Sequence, residues 1–179
     1  MDNIQLTHSD FQPQKSKYSI CLLLNDFASP ANVGSIFRIA DAFAIEKIYL
    51  TGSSPIPPNR KMMRTSRATE KFVLYEYKEN AEAVVNKLKL QGYSIISLEI
   101  TSSSTNIRQL ALSKENKVCL ILGSENEGIK PQLLTLSDET VHISMLGENS
   151  SINVASACAI AVFEITNQIS SIQNNVTLK

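Results

Sequence analysis

Tryptophan is missing altogether from the 179 residues, glycine and proline number six each, and the aromatic share is 6%. That composition excludes a collagen-like fibre and a low-complexity segment. No internal repeat is visible, and the chain has the length of one domain with a single sizeable core. Cysteine is scarce and odd in number: Cys21, Cys119 and Cys158 each sit in an apolar run, and no CxxC pair occurs. A disulfide framework is a poor fit, and reduced, buried thiols in a cytoplasmic protein are expected. Net charge is also absent, since 17 basic residues balance 17 acidic ones. An anionic partner must therefore be met by a local patch rather than by overall charge. The longest apolar stretch, "VASACAIAVFEI", is too short and too rich in small residues to span a bilayer, so no membrane partner is expected. The polar, acidic start "MDNIQLTHSD" does not read as a secretion signal. The glycosylation patterns at Asn149 and Asn175 are accordingly set aside. Neither a phosphate loop nor a dinucleotide fingerprint is found, and no metal is expected.

What is present is an alternation of strands and helices. "YSICLLL", "KIYLTG", "KFVLYEY", "YSIISLEI", "KVCLILG" and "ETVHISM" read as apolar, β-branched strands. A helix over 29–43, another over 79–92 and a long final one over 151–170 separate or follow them. Continuous apolar strands between helices predict an α/β domain with a mostly parallel sheet covered by helices on both faces. That single domain takes in residues 1–179, with a polar lead over 1–17 and a frayed tail over 171–179. Between the second and third strands lies a proline-rich loop. It runs into "NRKMMRTSRATEK", residues 59–71, where five basic side chains face one acid.

Ligands of such sheets sit beyond the carboxyl ends of the strands. Three segments there are unusual: "NDFASPANVGSIFR", "GSENEGI" and "LGENSSINVAS". In the first, Ser29 and Pro30 start a helix well. Val33, Ile36, Phe37, Ala40 and Ala44 supply its apolar stripe. Asn32, Gly34 and Arg38 lie off that stripe, although an interior glycine costs roughly 1 kcal/mol relative to alanine. In the second, Gly123 ends a strand and lets a ligand approach the backbone. Glu125 and Glu127 there would repel a phosphate and suit a cationic or neutral ligand, the alternative being a tight turn with solvated acids. The third joins a strand to a helix through Ser150, Ser151 and Asn153, where an ordinary serine-capped core helix is the alternative.

Taken in order, the three segments resemble the motifs of the SpoU/TrmH family of RNA ribose methyltransferases, within the knotted methyltransferase superfamily. "PANVGSIFRIADAFAIEKIYL" matches the first motif through Pro30, Asn32, Gly34 and Arg38. "LILGSENEGI" matches the second through Gly123, Glu125 and Gly128. "VHISMLGENSSINVASACAIAVFE" matches the third through Met145, Gly147, Ser151, Asn153 and Glu164. The likeness runs from about residue 18 to residue 168. Ser144 stands where the family commonly has proline, which points to a looser loop, and an appended RNA-binding domain is not expected.

The resemblance implies a C-terminal trefoil knot, a homodimer, and methyl transfer from S-adenosylmethionine to the 2′-hydroxyl of a ribose in tRNA or rRNA. It also implies a cofactor held largely by main-chain groups, at Gly123, Ile143 and Ile152 together with Leu98, Met145 and Leu146. Arg38 then acts as phosphate clamp and stabiliser of the developing alkoxide, since arginine's pKa above about 12 ill suits a general base. Gly34, one turn away on the same flank, is expected to leave room for the nucleotide beside Arg38; an Arg38–Asp41 surface pair is the alternative. Asn32, Glu125, Ser151 and Asn153 would orient Arg38 and the nucleotide, some of them from the partner chain. Arg60, Lys61, Arg64 and Arg67 are expected to meet RNA phosphates. The small-residue face around Ala155, Ala159 and Val162 is the expected dimer surface. Two other functions are alternatives: an RNA-binding or assembly protein of the same fold without catalysis, against which the intact Asn32, Arg38, Glu125, Ser151 and Asn153 argue, and a generic nucleotide-binding α/β enzyme, weakened by the missing phosphate-loop and dinucleotide signatures.

Overall fold

The computed structural model describes residues 18–112 and 117–177, with residues 4, 5, 7, 10 and 12 ahead of them. Most of the expected polar lead, and residues 178–179 of the tail, lie outside the described residues. The strands are β1 (Ile20–Asn25), β2 (Lys47–Thr51), β3 (Tyr75–Lys78), β4 (Tyr93–Leu98), β5 (Thr105–Asn106), β6 (Lys117–Leu122) and β7 (Glu139–His142). The helices are α1 (Pro30–Ala42), α2 (Arg60–Ser66), α3 (Ala81–Leu90), α4 (Pro131–Leu136) and α5 (Val154–Thr177). Strand order is β3-β2-β1-β6-β4-β7-β5, and all of its pairings are parallel.

The apolar runs are continuous because both faces of the sheet are covered. In β1, Ile20, Leu22 and Leu24 pack with Ile36 and Phe37 of α1, Met62 of α2 and Val162 and Ile165 of α5. Cys21 and Leu23 point the other way, into a second core with Val85 and Leu88 of α3 and Leu133 of α4. All three cysteines are free and buried. Burial pushes the Cys21 thiol up to about 11 and Cys158 to about 12, so both stay protonated at neutral pH. No helix among the described residues is long and apolar enough to cross a membrane.

Several elements depart from expectation. The stretch expected as loop holds α2, capped by the Asn59 side chain, which accepts from the N–H of Lys61 and Met62 at 2.9 and 3.3 Å. Its apolar stripe is too narrow to announce a helix, because the buried residues are only Met62 and Ser66. The third strand starts at Tyr75 rather than at residue 71, after a 3-10 turn over Thr69–Lys71. Helix α4 and the two-residue β5 were not foreseen. Helix α1 stops before Ala44, whose left-handed φ of 48° closes the helix. The N–H of Ile45 donates there to the Ala40 carbonyl at 2.8 Å.

Helix α5 runs to Thr177, past the point where fraying was expected. Its small-residue face does not serve as an outer surface. Ala155 and Val162 are buried in this chain's own core, and Ala159 is half-buried. Small residues let the helix settle closely on the core beneath it, so that face is spent inside the monomer. Among the described residues, the large apolar side chains that α5 leaves outside are Ile160 and Phe163.

Candidate active site at the carboxyl ends of the central strands

The chain reverses its direction of travel across the sheet between β1 and β6, and open α/β sheets bind ligands at such a switch point. The loops leaving β4, β6 and β7 there surround a cleft of about 1090 Å³. Its lining includes Asn32, Leu98, Glu99, Gly123, Glu125, Ile143, Met145, Ser151, Ile152 and Asn153.

One hydrogen-bonded set joins three loops that are remote in sequence. The Glu125 carboxylate accepts from the Asn32 amide at 2.7 Å and from the N–H groups of Ala28 and Ser29 at 2.8 and 3.1 Å. The Asn32 carbonyl oxygen accepts in turn from the Asn153 amide at 3.0 Å. The other end of Asn153 caps α5, accepting from the N–H of Ala155 at 2.9 Å and of Ser156 at 3.3 Å. Partial burial pushes Glu125 toward its neutral form, but the donors of Ala28 and Asn32 outweigh it and hold the carboxyl below its ordinary range. Glu125 is thus a fixed anion at the rim of the cleft at neutral pH.

Both glycines have packing work, which for Gly123 adds to its place in the cleft lining and for Gly34 replaces the expected role. A Cβ on Gly123 would lie 2.3 Å from the Gly128 carbonyl oxygen and 2.4 Å from the Ile129 nitrogen. Gly123 therefore lets the loop fold back on itself, where Ser124 and Gly128 exchange backbone hydrogen bonds of 3.1 and 3.0 Å. Gly34 does not make room for a nucleotide beside Arg38. A Cβ there would lie 2.3 Å from the Met62 carbonyl oxygen, so Gly34 exists to let α2 press onto α1.

Arg38 stands apart from the cleft. It is exposed, is not in the lining, and forms no ion pair with Asp41 among the described residues. Six residues along a helix place it about 120° around and about 9 Å along from Asn32. Leu146 is 98% exposed and also lies outside the lining. Arg60, Lys61, Arg64 and Arg67 are exposed on and just after α2, away from the cleft.

The sequence model of the SpoU rRNA Methylase family matches residues 19–163, which hold all of the elements that build the cleft. The chain belongs to the SpoU rRNA methylase family. It is 28% identical over 172 residues to an uncharacterized tRNA/rRNA methyltransferase of Borreliella burgdorferi, covering 93% of this chain and 74% of that one. Against the tRNA (guanosine(18)-2′-O)-methyltransferase of Escherichia coli K12 it is 27% identical over 139 residues, 78% of this chain and 59% of the relative. The crystal structure of the AdoMet-bound rRNA methyltransferase from Sinorhizobium meliloti shares the fold at a TM-score of 0.78 and 23% identity. That likeness covers 88% of this chain and 59% of that one. The chain thus spans about three fifths of the latter two relatives.

Family membership bears out the resemblance read from the three motifs, and the structure adds residues they did not mark. Glu99, at the end of β4, accepts from the N–H of Ile129 and of Ile100, both at 3.0 Å, tying the β4 and β6 loops together. A single acid closing the apolar run "YSIISLE" was the available signal. His142 lines the cleft and shares a 3.0 Å hydrogen bond with Ser104. Ser144, expected to loosen its loop, instead accepts from the Asn106 amide at 2.7 Å, so a side-chain tether takes the place of a proline ring.

Proposed function

We propose that this chain transfers a methyl group from S-adenosylmethionine to the 2′-hydroxyl of a ribose in tRNA or rRNA. The observation that carries the reading is the Glu125–Asn32–Asn153 set, which locks all three family segments together at the mouth of one cleft. The cleft suits the cofactor. It combines apolar walls (Leu98, Ile143, Met145, Ile152) with the carboxylates of Glu99, Glu125 and Glu127, an environment for a cation rather than a phosphate. When bound, S-adenosylmethionine supplies a methyl group activated on a positively charged sulfur. Main-chain groups at Gly123, Ile143 and Ile152, with those of Leu98 and Met145, hold it, while Leu146, outside the lining, does not. The loop between β7 and α5 belongs to the C-terminal trefoil knot that the family fold implies.

Arg38 acts on the nucleotide as a phosphate clamp and stabiliser of the developing oxyanion. Its guanidinium keeps its proton at any working pH, so electrostatics rather than proton removal is its contribution. Since Asn32 and Arg38 lie on different flanks of α1, one cleft does not receive both from one chain. The enzyme works as a homodimer in the cytoplasm, in which Arg38 serves the partner's cleft and Asn32, Ser151 and Asn153 orient the nucleotide. Ile160 and Phe163, exposed along α5, are the apolar side chains for that contact.

Titration calorimetry with S-adenosylmethionine, sedimentation and single-turnover methylation of purified tRNA and rRNA test this together. Wild-type protein is expected to bind the cofactor, sediment as a dimer and methylate one of the RNAs. Phe163→Asp is expected to yield monomer with little activity. Cofactor binding without any methyl transfer would leave an RNA-binding protein of this fold. A fully active monomer would refute the shared site.

A further inference from the structure

The outer edge of the sheet carries a surface that the methyl-transfer chemistry does not use. Strand β3 is one of the two edge strands, and Tyr75 and Tyr77 pair in register with Ile48 and Leu50. Both rings therefore face the same side of the sheet as α1 and α2. Tyr75 packs edge-on to Phe37 at 5.5 Å between centroids, and Tyr77 donates its hydroxyl to the Gly52 carbonyl at 3.0 Å. Both rings are held in place yet stay partly exposed, and Phe72, just before β3, is 76% exposed. On α2, Met63 adds a further exposed apolar side chain.

Around these rings lies uncompensated positive charge. Arg60, Lys61, Arg64, Arg67 and Lys71 are exposed, and none of them forms an ion pair among the described residues. The one acid of that stretch, Glu70, is turned inward to accept from the Ser66 hydroxyl. Arg67 and Ala68 both adopt left-handed φ, of 50° and 69°, and this turn carries the chain from α2 to Lys71 and Phe72. Because Gly34 brings α2 against the flank of α1 that also bears Arg38, the surface is continuous with the nucleotide-handling residue.

We propose that this edge takes an unpaired stretch of the substrate RNA, with bases stacked on Phe72 and Tyr77 and phosphates met by Arg64, Arg67 and Lys71. The inference rests on the methyltransferase reading and adds to it the form of RNA recognised. Phosphate contacts alone would suit a duplex equally, but ring faces open to solvent are useful only to bases already out of a helix. A protein partner is disfavoured because interface cores are depleted in charge. A second copy is disfavoured because a two-fold contact would set this cationic patch against itself.

The absence of tryptophan makes the test direct, since Phe72→Trp installs a sole indole reporter. A short oligouridine strand is expected to quench its fluorescence, and an RNA duplex of equal length to leave it unchanged. The double variant Phe72→Ala, Tyr77→Ala is expected to weaken oligouridine binding and raise KM for RNA by at least about tenfold. Its melting temperature and S-adenosylmethionine affinity should stay at wild-type values, and Tyr77→Phe alone should bind normally. Equal quenching by strand and duplex, or fluorescence that changes with protein concentration without RNA, would overturn the proposal. So would a wild-type KM in the double variant, while leaving the methyltransferase reading intact. Strand-specific quenching by a protein that transfers no methyl group would do the reverse.

Discussion

The cleft beyond β4, β6 and β7 and the edge built from α2 and β3 share one sheet and treat charge in opposite ways. In the cleft, the Glu125 carboxylate is tied to three donors of the segment after β1, and the Glu99 carboxylate to Ile129 of the β6 loop and to Ile100 beside it, so the anions are fixed in place and also fasten the loops. At the edge, five cations stand on short elements without ion-pair partners among the described residues. A chain with no net charge has thus sorted its charges by place. The anionic side is held in place by its donors and the cationic side is left solvated, which suits the small cation and the polyanion proposed for them. Asp26 shows that pairing is available where it is useful: Lys130 sits 2.6 Å from it and holds its carboxyl below the usual range.

The sharpest way to break the cleft while sparing the edge is Gly123→Val. The new side chain strikes the backbone of Gly128 and Ile129, so the loop carrying Glu125 must move. S-adenosylmethionine binding should be abolished in calorimetry, and stability should fall by roughly 2–3 kcal/mol or more in denaturant unfolding. Loss of binding at wild-type stability would mean that the glycine serves the ligand directly rather than the loop.

Arg38 lies between the two regions, and its replacement asks to which it belongs. Arg38→Ala should reduce single-turnover methylation by about a hundredfold, the scale of losing one preorganised stabilising group. Melting temperature and cofactor affinity should barely move, because the side chain is exposed and forms no ion pair among the described residues. Arg38→Lys should rescue little, since a point charge does not reproduce a planar fork. Near-normal turnover in Arg38→Ala would remove the residue from the chemistry.

The smallest effect separates the fixed anion from a merely solvated one. Glu125 is held below its ordinary value of 4.5, so its stabilising hydrogen bonds are fully present above that pH and fade as pH falls through the lowered value. Thermal unfolding of Glu125→Gln beside wild type should show a constant gap near neutral pH that narrows below about pH 4. A gap independent of pH would show that the amide replaces the carboxylate for reasons unconnected with its charge.

Residue types and their spacing alone determined the parallel sheet and pointed to the strand ends where the candidate site lies. Runs such as "CLLL" and "CLIL" are apolar at every position because both faces are covered, and that is visible without coordinates. The three motifs were legible for the same local reason, each being a strand end followed by its loop. What tertiary structure alone decided are contacts between segments far apart in the chain. Glu125 meets Asn32 across 93 residues and Asn153 meets Asn32 across 121, and no local spacing encodes such meetings. From sequence alone, the small residues of α5 and Gly34 of α1 suggest surface or nucleotide positions. A missing side chain says only that something comes close, and the coordinates showed that it was this chain's own core and α2. Helix α2 was hidden because a single buried methionine and a cap suffice to hold a short helix once α1 supplies the surface beneath it.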